Sequence, residues 1–363
     1  MSKCSQPVQL LADKIVHHVC TWGMGYFVPN SVYHVTNKDV ADYVMSLGAL
    51  VLVSNEQYGD YPCIITPEPI KLIARMCGFY RFINKSLSVT MVSGSIGKST
   101  TKGMLNAVYS RSKHTFCNIG DENDWFSVAY SVQHIPQRCK LMIQETHEAD
   151  RNMNDCNSEM LQPNVAVITT IDYSHVEKYN SQDELVRNIC MMTNHLKHDG
   201  IVVIDKDNFR WYEYLEGKTI VTVSIDDSSA DYYAQNVQIT DMGIQFDMIE
   251  RATGTVVPVR LNNIFSKHNV VIALKVFAAS RYNNISYSDI SKGLSEYRTG
   301  GIRQNIFRTH NGILVYADCF NSVLGSVKAS IESISIIPVK GKRIAVIGDI
   351  EELGAMSESI HND

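Results

Sequence analysis

Long apolar runs are missing from this 363-residue chain. The strongest, Gly48–Val53 and Ile201–Ile204, have the length of a strand and fall far short of the ~18–20 residues of a membrane span. No membrane partner is expected. Clusters of Lys and Arg are absent as well, and Lys+Arg 33 against Asp+Glu 38 gives a net charge of −5. No nucleic-acid partner is expected from such a balance. The nine cysteines contain no C-x-x-C pair, which argues against structural zinc and a disulfide framework and for reduced thiols in a cytoplasm. Met1–Pro7 lacks the pattern of a signal peptide. Gly 21 and Pro 9, with 45% hydrophobic residues, exclude disorder and collagen-like structure.

What is present is an α/β pattern. Residues 1–84 read as a small unit: helix Val40–Leu47, strand Ala49–Val53, strand Cys63–Thr66 and, after Pro67 and Pro69, helix Ile70–Ile83. A larger unit, 85–298, starts with strand Leu87–Val92 and helix Lys102–Arg111. Strands Lys140–Gln144, Val165–Thr169 and Gly200–Ile204 alternate with helical stretches and predict a parallel sheet with helices on both faces. Residues 218–262 read as antiparallel hairpins appended to it, and Lys267–Ser280 as a helix. In 299–363, strands Ile313–Tyr316 and Lys342–Ile347 flank helix Ser326–Ile336. That is too little for an independent domain. Either the chain is a fragment, to be completed by further sequence or by a partner chain, or this unit is unusually short.

The chemistry gathers at Gly94-Ser95-Ile96-Gly97-Lys98-Ser99-Thr100, between a strand and a helix. Backbone N–H groups of such a turn wrap phosphate oxygens, and the helix N-terminus adds a favourable dipole. Lys98 suits the β/γ-phosphates and the Ser99 hydroxyl suits Mg2+. The glycine spacing is shorter than in the common P-loop, which has Gly where Val92 stands. Glu145 and His175 each follow a predicted strand, and ligands collect at the carboxyl ends of strands in an open parallel sheet. Lys98, Ser99, Glu145 and His175 are therefore expected at one edge, with the last three as Mg2+ ligands beside ATP. Singly, Glu145 also reads as a solvated loop acid and His175 as a capping histidine.

Taken in order, these residues resemble the Mur ligase family over roughly residues 25–363. The family's T-G-(S/T)-x-G-K-(T/S)-(T/S) loop is similar to Ser93–Thr100, its strand-end Glu to Glu145, and its Pro-to-His segment to Pro163–His175. An H-N pair matches His268-Asn269, an Arg before the third domain matches Arg303, and the linker strand matches Ala317–Asn321. G-D-M-x-E-L-G and a following His match Gly348–Gly354 and His361. The order is nearest to members that complete the peptide of the peptidoglycan precursor. The resemblance implies three domains, for the UDP-sugar substrate, ATP and the incoming amine, the third Rossmann-like and here partial. It also implies a reaction: ATP phosphorylates a carboxylate, an amine attacks the acyl phosphate, and an amide, ADP and phosphate result. It implies His268 and Asn269 by the adenine, Asp318 by the ribose and Arg303 by the phosphates. The implied substrates are a UDP-sugar-peptide-like acid and an amino-acid or dipeptide amine.

The departures are specific. Ile189 stands where the family carries a Lys that becomes a carbamylated Mg2+ ligand, and Arg187 cannot replace it. Asp124 and Phe126 replace a Gly and a Pro, Glu145-Thr-His-Glu148 replaces E-(L/M)-G-(A/M), and Val323-Leu324 replaces an Asn-Pro. Nucleotide-facing positions mostly match and substrate-facing positions mostly do not. A ligase for a different carboxylate and an ATP-binding pseudoenzyme are the alternatives; an unrelated P-loop kinase or NTPase has no reason to carry Asp318 and Gly348–Gly354.

Overall fold

The computed structural model describes residues 3–4, 16–21, 27–120, 122–149, 151–172, 176–240, 242–299, 304–320, 322–337, 339 and 341–362. Its N-terminal sheet comprises β1 (Lys3–Cys4), β2 (Val19–Thr21), β3 (Val32–His34), β4 (Val51–Ser54) and β5 (Cys63–Ile65), in the order β1-β5-β4-β3-β2. Helix α1 (Lys38–Ser46) begins where the Asn37 side chain accepts from the Val40 N–H at 2.9 Å. Helix α2 runs Pro69–Ile83. Pro69 opens this helix instead of preceding it, because a first-turn residue has no intrahelical use for its N–H.

The second sheet has nine strands: β6 (Ser88–Ser93), β7 (Thr115–Cys117), β8 (Leu141–Glu145), β9 (Val165–Ile168), β10 (Ile201–Asp205), β11 (Thr219–Ser224), β12 (Tyr232–Thr240), β13 (Gly243–Glu250) and β14 (Thr255–Asn262). Their order is β14-β13-β12-β11-β10-β9-β6-β8-β7. Pairing is parallel from β7 to β12 and antiparallel from β12 to β14. The expected appended hairpins thus begin only at β12; β11 extends the parallel sheet beside β10. Strands β8, β9 and β10 are buried at every residue, which is why Leu141–Ile143, Val165–Ile168 and Ile201–Ile204 are continuous apolar runs and not alternating ones.

Helices α3 (Lys98–Ser112), α7 (His268–Tyr282) and α8 (Tyr287–Glu296) share one core with the sheet, built around Leu105, Val108, Leu274 and Phe277. Helices α4 (Trp125–Gln133), α5 (Met153–Leu161) and α6 (Gln182–Cys190) share a second core, which α2 joins through Ile73 and Cys77. Arg81 fastens α2 to this layer: its guanidinium donates to Leu161 O at 3.1 Å and to Asn164 Oδ1 at 2.8 Å. Burial pulls Arg81 down to about 10.

The remaining residues form a hairpin, β15 (Asn305–Arg308) and β16 (Leu314–Ala317), followed by α9 (Leu324–Ile336) and the short α10 (Ser357–His361). Here the sequence reading needs correction. Lys342–Ile347 is not a strand; Ile344 and Val346 are 79% and 96% exposed. A strand is completed by a neighbour that takes its N–H and C=O groups, and no described strand lies beside this run. Among the described residues no helix is long and apolar enough to cross a membrane; Cys20, Cys63, Cys77, Cys117, Cys139, Cys156, Cys190 and Cys319 are free thiols, mostly buried.

Candidate nucleotide site

The sheet positions the site by its connectivity. From β6 the chain moves to one side through β7 and β8, then crosses to β9 on the other side. The loops after β6, β8 and β9 therefore meet at one carboxyl edge, the position at which such sheets open a crevice.

The loop after β6 is glycine-dependent at two points. Gly94 has φ +133°, and a Cβ there would lie 2.3 Å from Thr169 Oγ1. Gly97 has φ +86°, and its Cβ would lie 2.9 Å from Ile272 Cδ1 and 3.2 Å from His268 Nε2. Both need the left-handed region that only glycine enters freely. Ser95 and Ile96 donate their N–H groups to Thr170 O at 2.9 and 3.0 Å, which fixes the loop to the strand-end of β9. Gly97 then hands over to α3, whose N-terminus no side chain caps. The helix starts at Lys98, four residues earlier than expected from the sequence. Lys98, Ser99 and Thr100 thus occupy its first turn, where backbone N–H groups have no intrahelical acceptor.

A cleft of about 340 Å3 opens above this turn. Ser95, Gly97, Lys98, Ser99, Thr100, Glu145, His268, Asn269 and Asp318 all line it. Gly94 lies beneath, against Thr169. His175 and Arg303 lie outside the described residues. Asp318 comes from the end of β16; its carboxylate accepts from the Gln304 N–H at 3.3 Å and the Ser330 hydroxyl at 2.7 Å. Asn269 donates to Gln304 Oε1 at 3.0 Å, so α7 and the third unit meet at the rim.

Glu145 is no solvated loop acid: it is 1% exposed. Its Oε1 accepts from the Ser99 hydroxyl at 3.2 Å and from Asn123 Nδ2 at 3.0 Å. Its Oε2 is enclosed without a hydrogen bond, although the Lys102 ammonium stands 3.1 Å away. Lys98 does not point into open solvent. Its ammonium donates to Gly94 O and lies 2.7 Å from the Glu148 carboxylate, which is wholly buried. Asn188 and the Tyr179 hydroxyl donate to the Glu148 carbonyl and hold that residue from α6 and the turn before it. Ile189 is a core residue and Arg187 faces solvent, so α6 brings no amine to the cleft.

His268 is half-buried as a residue, but its Nε2 is enclosed and has no partner. Burial, with Lys275 adding to it, pushes its imidazole down to about 4. Lys275, two turns along α7, is itself buried, donates to Ile168 O at 2.9 Å, and is lowered to about 8 by burial, against a pull from Asp205. The neutral imidazole has a pH signature. Between pH 4 and 6.5 the unfolded chain binds the His268 proton and the folded chain does not, so stability rises with pH through that window. Acidification across it should cost about 2–3 kcal/mol more in the native protein than in His268→Gln, read from urea unfolding at both ends of the window. Equal slopes would reject the buried neutral imidazole.

These features fit a nucleotide and its metal. The orphaned Nε2 and the uncapped helix N-terminus await acceptors or donors from a ligand. No group of three His, Cys, Asp or Glu able to hold a metal is found among the described residues. A hydroxyl and one carboxylate are nevertheless what Mg2+ takes when phosphate oxygens and water fill its other positions. Sequence reasoning missed Glu148, Lys102 and Asn123, since their partners lie 18 to 50 residues away and only sheet order brings them together.

Known proteins resemble this chain in sequence and in fold. The Mur ligase middle domain matches residues 92–280, a stretch that begins at the end of β6 and ends in α7. UDP-N-acetylmuramoyl-tripeptide–D-alanyl-D-alanine ligase of Bacillus subtilis (strain 168) is 28% identical over 274 residues, covering 75% of this chain and 58% of its own length. The ligase of that name from Escherichia coli (strain K12) is 24% identical over 327 residues, covering 89% and 71%. The chain thus spans about three-fifths to seven-tenths of these relatives. Among solved structures, a MurF from Acinetobacter baumannii superposes with a TM-score of 0.81 at 22% identity, covering 95% of this chain and 76% of that one. A MurF ligase from Thermotoga maritima, in complex with ADP, gives a TM-score of 0.80 at 18% identity and covers 95% and 81%. With its phosphate-loop strand, its strand-end glutamate and its His-Asn helix all inside or at the border of the matched stretch, this chain belongs to the Mur ligase family.

Proposed function

We propose that the protein is an ATP-dependent amide ligase that works through an acyl phosphate. The observation that carries this reading is the convergence, in one cleft, of the Gly94–Thr100 loop, the buried Glu145 beside the Ser99 hydroxyl, and the unpartnered Nε2 of His268. Lys98 would contact the β/γ-phosphates, and Ser99 and Glu145, with His175, would hold Mg2+. His268 and Asn269 would lie by the adenine, Asp318 by the ribose and Arg303 by the phosphates. The metal, when bound, supplies charge neutralisation of the phosphates. The chain's own task is to position the transferring group and to offer donors where charge develops. The first relatives make UDP-N-acetylmuramoyl-tripeptide and D-alanyl-D-alanine the substrates to try first. The uncovered run Ile344–Ile347 supports a partner chain, or further sequence, completing the third unit.

The test is phosphate release from ATP and Mg2+, with and without both substrates. Release that needs the acid and the amine together is the expected result. Turnover that ignores the amine would overturn it in favour of a plain NTPase. One observation favours a second reading, nucleotide binding without turnover: α6 presents Ile189 to the core and Arg187 to solvent. ADP binding with no amine-dependent release would establish that reading.

A further inference from the structure

The buried charges around the phosphate loop cancel. Lys98 and Lys102 bring two positive charges; Glu148 and Glu145 bring two negative ones, paired at 2.7 and 3.1 Å. Asp318 adds a further acid at the rim. Each partner is at most 13% exposed, so water screens these charges little. The main chain of Glu148 is held as well, since its carbonyl accepts from Asn188 Nδ2 at 3.0 Å and from the Tyr179 hydroxyl, and these two are joined at 2.8 Å. Its carboxylate, wholly buried, cannot leave Lys98 without finding another partner for its charge. Nor can Lys98 desert it, because a buried carboxylate left without its cation is strongly unfavourable. An ammonium has three donors, so Lys98 can keep Gly94 O and Glu148 and still offer one to a phosphate. The phosphate then meets a neutral pair and not a free cation.

We propose that Glu148 makes this site discriminate between nucleotide forms, admitting the metal-complexed polyphosphate and rejecting the metal-free one. With the loop lysine neutralised, backbone N–H groups and the helix dipole remain as fixed attractions, and they amount to only about half a charge. The rest of the polyphosphate charge has to be offset by a cation that arrives with the ligand. This inference rests on the nucleotide reading of the cleft.

The experiment is ADP binding to the full chain by calorimetry, at fixed ionic strength, with excess Mg2+ or with chelator. The native protein should bind the Mg2+ complex about a hundredfold or more tighter than metal-free ADP. Glu148→Gln keeps shape and hydrogen bonding but frees the Lys98 charge. Coulombic attraction scales with ligand charge, about three for metal-free ADP against about one for its Mg2+ complex. The variant should therefore tighten metal-free ADP by about tenfold or more and change the complex by less than about threefold. A native protein that binds both forms equally, or a variant that keeps the native ratio, would overturn the proposal. If that variant does not fold, Lys98→Met/Glu148→Gln, which strands no charge, gives the second reading: it should keep the native ratio, and a ratio about tenfold larger would show that Lys98 was attracting the metal-free form and overturn the proposal. Failure of the native protein to bind either form would instead remove the nucleotide reading on which the inference stands.

Discussion

Lys98→Met should reduce amine-dependent phosphate release by about a hundred- to a thousandfold, the scale of one lost hydrogen-bond donor to a transition state. The same substitution should cost about 3–5 kcal/mol of stability, because Glu148 is left fully buried with no cation beside it. The two effects separate in a cycle of four proteins. Lys98→Met/Glu148→Gln should regain most of the stability, since no charge is then stranded, and should stay inactive. Thermal unfolding and turnover of the native protein, both single variants and the double variant provide the readout. Normal turnover in Lys98→Met would dismiss the site; a double variant no more stable than the single one would dismiss the buried pair.

Phe277→Ala should destabilise the chain by about 3–5 kcal/mol. Phe277 is wholly buried in α7 and meets Tyr232 of β12 and Tyr287 of α8 edge-on, at centroid distances of 5.1 and 6.1 Å. One ring thus ties the parallel sheet's helix to the antiparallel extension and to the next helix. Urea unfolding followed by tryptophan fluorescence measures the loss. A change below about 1 kcal/mol would mean that α7 is not the centre of this core.

How far the sequence discloses this arrangement depends on the range of the interaction involved. The loop Gly94–Thr100 is legible because its strand, turn and helix are contiguous and its glycines answer a local demand of the backbone. Glu145 is legible because a strand end in a parallel sheet has a known direction. Glu148 is not, because its meaning comes from Lys98, fifty positions earlier, and from Asn188, forty later. Lys275 likewise carries no mark of its burial; a lysine within a helix ordinarily faces water, and only the sheet's placement of Ile168 O gives its ammonium a partner. The segment Lys342–Ile347 errs in the opposite sense. Its composition is that of a strand, but strandness also requires a neighbour, which no local pattern contains.

That segment bears on how the molecule behaves in concentrated solution. Ile344, Val346 and Ile347 are 79%, 96% and 57% exposed on backbone outside any described ladder. Uncovered apolar backbone of this kind is a template on which identical copies can pair edge to edge. Lys342 and Arg343 on one side and Asp349 and Glu351 on the other are placed as gatekeepers, charges that make stacking in register unfavourable. Where nothing covers this run, pairing of copies through it is therefore opposed by those flanking charges, and salt that screens them weakens the opposition.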